Sequence, residues 1–268
     1  MSNLLDFKIR ASASQKIMGG VKQPIDKYNE VVAELNRLKD IQEGVKNKET
    51  KTYTAREEKI KEQLALVEEL AKTKDRYELP TGAKTYVRDY LLDYVYGGVG
   101  LSKVKVKEMQ KGDEVEGDNI AYYGEQRGLT LEKNEAFYEN EWAKGTPDVV
   151  TDDLVIDMKS SWDYTTFPIW AKDIPNKDYS SQLQVYMWLT ERTKARLVYV
   201  LSNTPENLWR SDVDMLDYTQ LLDDFRIKEF DIEYDDDFIS QLQERVEKCH
   251  QYLNALIRQM NWEKYFLG

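Results

Sequence analysis

Cysteine and histidine are almost missing from this chain, with Cys249 and His250 the sole examples among 268 residues. A single cysteine excludes an internal disulfide and a thiolate zinc site, and a single histidine excludes chemistry that needs two or more imidazoles. No apolar run approaches the roughly 20 residues of a membrane helix, so a membrane span is not expected. Gly97-Gly98-Val99-Gly100 lacks the lysine of a phosphate-binding loop, which argues against an ATP-driven motor. Met1 to Arg10 shows no charged-then-apolar secretion layout, so the expected location is the cytoplasm of a bacterium or of a phage-infected host. What the chain does have is carboxylate: 49 Asp and Glu against 38 Lys and Arg, a formal net charge of -11. Chemistry, where present, has to be built on acids.

Two acids stand out by spacing. Gly145-Thr146-Pro147-Asp148 is followed, nine residues after its aspartate, by Asp157-Met158-Lys159. From Phe137 to Val150 aromatic and β-branched residues dominate, Thr151-Asp152-Asp153 supplies turn chemistry, and Leu154 to Lys159 resumes an extended run, a pattern that predicts a hairpin. Side chains alternate along a strand, so Asp157 and Lys159 share one face while Ile156 and Met158 point into a core. Folding back near Asp152 brings Asp148 almost opposite Asp157. Two carboxylates and one ammonium then converge, a donor set suited to Mg²⁺ or Mn²⁺, which prefer hard oxygen ligands and share coordination with phosphate. On spacing alone, the same residues also suit a turn cap and a surface ion pair.

The combination resembles the signature of the PD-(D/E)XK nuclease superfamily, with aspartate where glutamate is commoner as the second acid. Lys111 to Ile120 is similar to the Gly-x-x-x-Glu helix of RecB-like and lambda-type phage exonucleases, which makes Glu116 the corresponding acid. Gln182 and Tyr186, four apart on a helical face, are similar to the Gln-x-x-x-Tyr element of the same families. Ile9-Arg10-Ala11-Ser12 resembles the Ile-Thr-Ala-Ser element of the lambda-type enzymes. The resemblance implies that Asp148, Asp157, Glu116 and the Met158 carbonyl hold Mg²⁺ or Mn²⁺, and that Lys159 positions or activates the attacking water. It further implies that Gln182 and Tyr186 steady the lysine and the scissile phosphate. Arg10, Ser12, Ser160 and Ser161 are the expected DNA contacts.

The element order expected is a helix over 107–125, a short strand over 129–133, the 137–160 hairpin, a helix over 178–192 and a strand over 195–201. This is the αβββαβ order of a restriction-endonuclease-like α/β core with a mixed central sheet. Around it, 26–76 reads as a helical hairpin. Tyr28, Val31, Leu35 and Leu38 form one stripe, Ile60, Leu64, Val67 and Ala71 another, and Thr54-Ala55-Arg56-Glu57 reads as a capping box. A covering or oligomerising helix follows Asp235-Asp236-Asp237, striped by Ile239, Leu242, Val246, Cys249, Leu253 and Ile257; Trp262, Tyr265, Phe266 and Leu267 form an apolar tail. The whole is expected to be a single nuclease domain over 1–268 carrying these two appendages.

Net negative charge opposes DNA binding, since Lys and Arg supply most non-specific affinity for phosphate. Lys103, Lys105, Lys107, Lys111, Lys159 and Lys172 are the candidates for a local basic lip. Trp162, Tyr164, Phe167 and Trp170, just beyond the lysine, read mainly as packing and secondarily as base-stacking residues. The function expected is a Mg²⁺-dependent DNA exonuclease of phage recombination, with a single-strand annealing recombinase as partner and homo-oligomers as an assembly. An endonuclease on the same fold, and a non-catalytic DNA- or protein-binding adaptor, are the alternatives.

Overall fold

The computed structural model describes residues 6–97 and 106–266. Gly98, Val99, Gly100, Lys103, Lys105 and Leu267, together with residues 1–5, lie outside the described residues. Along the chain run β1 (Ile9–Arg10), α1 (Ser14–Met18), α2 (Pro24–Glu43), α3 (Lys51–Ala71), α4 (Thr81–Val95) and α5 (Lys107–Arg127). Next come β2 (Tyr138–Glu139), β3 (Ala143–Gly145), β4 (Val149–Val150), β5 (Val155–Ser160), α6 (Lys177–Thr190) and β6 (Lys194–Val200). The last elements are β7 (Ile227–Glu233), α7 (Asp236–Gln259) and α8 (Glu263–Phe266). The fold is mixed α/β, with helices around mixed sheets, as the element order implied. Contacts divide the chain into two compact units, one of residues 1–18 and 82–268 and one of residues 19–81.

The larger unit is built on a four-stranded sheet ordered β4-β5-β6-β7 and a small three-stranded sheet ordered β1-β3-β2. Strand β4 pairs antiparallel with β5, Val149 opposite Ile156, across a turn closed by Thr151 N to the Leu154 carbonyl at 2.9 Å. β5 then pairs parallel with β6 through six residues. Parallel neighbours need a crossover, and α6 supplies it. Beneath the sheet Ile156 and Met158 join Ile120, Tyr123, Val149, Val198, Val200 and Ile227 in one buried cluster. The predicted alternation of β5 therefore holds: Ile156 and Met158 turn to α5, and Asp157 and Lys159 turn the other way.

Three details differ from the sequence reading. Residues 129–133 form no ladder, because Leu129 is spent closing α5: its N–H reaches the Gly124 carbonyl at 2.8 Å beyond the left-handed Gly128. The 137–160 hairpin is divided between two sheets, since Pro147 offers no donor and its neighbourhood cannot continue a ladder. A further strand, β7, adds to the sheet antiparallel to β6.

Helix α7 shows the expected stripe, with Ile239, Leu242, Val246, Cys249, Leu253 and Ile257 all buried and Asp235 capping Phe238 N at 2.9 Å. It covers α1 and α6, and Arg245 donates to the Ile17 carbonyl at 2.9 Å. In the smaller unit α2 and α3 pack on each other, Leu35 and Leu38 are buried, and Arg56 donates to Gln42 Oε1 at 3.1 Å. α3 starts earlier than the Thr54 box implied, at a Thr50 cap that accepts from Tyr53 N at 3.1 Å. Its inward face also differs from the expected stripe: Leu66, Val67 and Leu70 are half-buried, while Leu64 and Ala71 are exposed.

Leu242→Ala, at a fully buried α7 position, is expected to cost about 2–5 kcal/mol, whereas Leu64→Ala on the exposed side of α3 should stay within about 0.5 kcal/mol. Urea unfolding midpoints of the two variants against the parent check this.

Candidate active site

Everything expected of the central triad depends on the first residue pair of a two-residue ladder. Val149 sits opposite Ile156, so the next pair outward is Asp148 and Asp157. Asn134 fixes the approach to that pair. Its backbone N–H donates to the Asp148 carbonyl at 2.7 Å, and its side chain donates to the Pro147 carbonyl at 2.8 Å. Asp148 Oδ2 accepts from the Met158 backbone N–H at 2.7 Å, which pins the carboxylate across the hairpin. Asp157 is 1% exposed.

Around this pair the polar partners are few and directed. Asp157 Oδ1 accepts from Gln182 Nε2 at 3.1 Å, and the same amide donates to the Tyr186 hydroxyl at 2.9 Å. Asp157 Oδ2, buried without a well-aligned hydrogen bond, forms an ion pair with the Lys159 ammonium. That ammonium lies 4.9 Å from the centroid of the Tyr179 ring and 3.4 Å from the Met158 carbonyl, which therefore faces the same space. Gln182 thus reaches the acid rather than the lysine, Tyr186 meets Gln182, and Tyr179 is the α6 residue that reaches the lysine. Tyr179 precedes Gln182 by three and Tyr186 by seven, the spacing of one helical face, which was the available signal for it.

Electrostatics follow from packing two acids in one dry patch. Burial, and then the charge of Asp157, push the Asp148 carboxyl up to about 7, against the pull of Lys159 and the Met158 N–H. Burial alone would lower Lys159, but Asp157 and Asp148 together outweigh it and hold the ammonium above its ordinary range. Burial and then Asp157 raise the Tyr186 phenol.

Glu116 is close enough for its charge to raise Asp148, yet its carboxylate pairs with Lys133 at 2.8 Å. Among the described residues no group of three or more His, Cys, Asp and Glu side chains gathers as a metal cluster. The structure thus brings Asp148, Asp157, Lys159, Gln182 and Tyr186 together and leaves Glu116 at the margin. A buried and a half-buried carboxylate with an inward carbonyl fit a hard divalent cation, which would also relieve the repulsion between the acids.

The expected DNA contacts are placed less uniformly. Arg10 and Ser12 are exposed, at β1 and in the short 3-10 turn Ala11–Ala13 that packs on α6. Ser160 Oγ accepts from Asn119 Nδ2 at 2.8 Å. Ser161 is 4% exposed with its hydroxyl enclosed, because the chain turns inward there behind its N–H bond to the Val200 carbonyl at 3.1 Å. Lys111 is not on a basic lip: it is fully buried. Lys107 is tied to the carbonyls of Leu208 and Trp209 at 3.0 and 3.3 Å, while Lys172 is exposed. Of the aromatic run, Phe167 packs with Leu201 and Tyr218, and Trp162 lies under Arg210 at 3.9 Å while donating to Asp214 at 2.6 Å. Tyr164 and Trp170 are exposed, Trp170 at 91%.

Comparison with known proteins gives structural neighbours. A phage-related exonuclease from Haemophilus somnus 129PT superposes with a TM-score of 0.67 at 28% identity, covering 96% of this chain and 98% of that one. An alkaline exonuclease from Laribacter hongkongensis matches at a TM-score of 0.54 and 19% identity over 70% of this chain and 88% of that one. The same enzyme in complex with dAMP matches at 0.57 and 16%, over 99% of this chain and 96% of that one. No protein-family model and no curated protein sequence matches. These neighbours belong to the PD-(D/E)XK superfamily, and the fold of this chain is theirs, in agreement with the motif resemblance.

A stability test follows from the raised Asp148 carboxyl. Its folded value of about 7 lies above its ordinary 3.8, so the folded state holds a proton that the unfolded state has lost. Stability is therefore given up as pH rises between about 4 and 7. Asp148→Asn should raise the melting temperature of the metal-free protein at pH 8 and change it little at pH 4. Equal shifts at both pH values would contradict the carboxyl's placement.

Proposed function

We propose that this chain is a metal-dependent DNA exonuclease that hydrolyses phosphodiester bonds at the Asp148, Asp157 and Lys159 site. The observation that carries this reading is the convergence of a buried acid, Asp157, a half-buried one, Asp148, and one lysine on adjacent strands, backed by Gln182 and Tyr186. A salt bridge kept for stability alone does not call for a second, half-buried acid on the same patch, since uncompensated burial of charge is costly.

In this reading Asp148, Asp157 and the Met158 carbonyl hold Mg²⁺ or Mn²⁺, and Glu116, released from Lys133, holds a second ion or a bridging water. A divalent cation bound there polarises the phosphate and lowers the pKa of a bound water. The protein's own groups do the rest. Lys159, kept charged by its two acids, orients the attacking water and offsets negative charge as the oxygen attacks phosphorus and the 3′ or 5′ oxygen departs. Its raised pKa favours donation over proton abstraction in the metal-free state. Gln182 fixes the rotamer of Asp157, and Tyr186 fixes Gln182, so the first ligand is pre-aimed. Gly145 leaves room for this: a Cβ there would stand 2.8 Å from the Tyr186 ring. Arg10, Ser12 and Ser160 are assigned to DNA phosphates. A single-strand annealing recombinase and further copies of the chain are the partners that the resemblance adds.

Purified protein with linear and closed-circular duplex DNA tests the reading. Linear DNA should be degraded with Mg²⁺ or Mn²⁺ and not with EDTA, and Lys159→Ala should lose about 10²–10⁴-fold in rate. Cutting of the circle would replace the exonuclease with an endonuclease. No cleavage of either form would overturn the enzyme and leave an adaptor.

A further inference from the structure

The most heavily buried charge away from the carboxylate pair is Lys111, on α5, at 0% exposure. Its ammonium donates to three backbone carbonyls, those of Ser161, Trp162 and Ser202, each at 2.7 Å. These carbonyls lie just past the ends of β5 and β6, where the ladder stops and their acceptors would otherwise be orphaned in the interior. The ammonium has three protons and three acceptors, so the arrangement is complete in itself. The Trp162 ring closes one side, 5.9 Å from the nitrogen. Burial draws the ammonium down to about 8 against the charges of Asp163 and Asp214, which marks how thoroughly water has been removed.

Two turns along the same helix face, after Val115, Asn119 donates to Ser160 Oγ at 2.8 Å. Lys111 and Asn119 therefore clamp α5 to three consecutive residues, Ser160, Ser161 and Trp162, that directly follow Lys159. Glu116 sits on the helix between the two clamps. We propose that Lys111 is a positioning residue, whose buried ammonium fixes the continuation of the Asp157-Met158-Lys159 strand against the helix that presents Glu116. This rests on the nuclease reading of that site. The clamp sets the distance of Glu116 from Asp148 without touching either acid, and its loss lets the helix start and the strand end drift apart.

Lys111→Met removes the donors at similar volume. In the metal-free protein, hydrogen exchange should rise at amides of 112–119 and 160–163 and stay unchanged in α7; unchanged exchange at the clamp would overturn the proposal. With DNA and Mg²⁺, kcat should fall about 10²-fold with KM within a factor of two, and the Mg²⁺ concentration for half-maximal rate should rise. Combining it with Glu116→Gln should cost little more than Glu116→Gln alone, because the two act through one feature. Losses that multiply, or a kcat within twofold of the parent, would reduce Lys111 to a fold-stabilising role. Leu253→Ala in α7, assayed alongside, gives the behaviour of a merely destabilised protein. Should Lys111→Met not fold, Lys111→Gln, which keeps two donors, takes its place under the same criteria. If the parent itself cleaves nothing, the nuclease reading falls, and the exchange experiment alone decides whether Lys111 clamps α5.

Discussion

Two acids packed against each other in one largely buried patch are the constraint on which the rest of this structure turns. Asp148 and Asp157 stand side by side across the β4–β5 register, and each would be cheaper apart or in water. The surroundings are arranged to hold them. The Met158 N–H and Asn134 fix the first acid, Gln182 fixes the second, and Lys159 lies between the sheet and the Tyr179 ring. The apolar cluster under β5 keeps the strand from yielding to the repulsion. What remains is a raised carboxyl at Asp148, a reserve of unfavourable electrostatics that a divalent cation would discharge.

That constraint also explains how much could be read from the chain. A two-residue β period and a turn at Thr151-Asp152-Asp153 suffice to bring Asp148 opposite Asp157, because both signals are local. The α7 stripe was equally legible, since a 3.6-residue period over 24 residues leaves little freedom. The pairing of Gln182 with Tyr186 follows from spacing four on one helix, although spacing does not say that their target is the acid.

Features set by tertiary geometry were not legible. Lys111 in sequence is one lysine among many, and nothing local announces that it will be enclosed by three carbonyls from 50 to 91 positions away. Strand β7 lies beyond a long irregular connection, so its pairing with β6 had no short-range cue. In α3 the cap chosen by the chain was Thr50 rather than Thr54, and which side of the helix faces α2, leaving Leu64 exposed, is set by packing and not by the cap. The net charge of -11 remains a real opponent of DNA binding. Burying Lys111 and tying down Lys107 takes two lysines out of the expected basic lip, leaving Arg10 and Lys172 among the exposed cations.

As proposed, Asp148 and Asp157 hold a divalent cation, and the raised Asp148 carboxyl gives up a proton near neutrality when it binds. Calorimetric titration of the metal-free protein with Mn²⁺, in buffers of different ionisation enthalpy, measures binding and proton release together. The expected result is saturable binding that releases a fraction of a proton at pH 7 and none at pH 9, and that is lost in Asp148→Asn. Binding that persists unchanged in that variant, or no binding at millimolar metal, would contradict it.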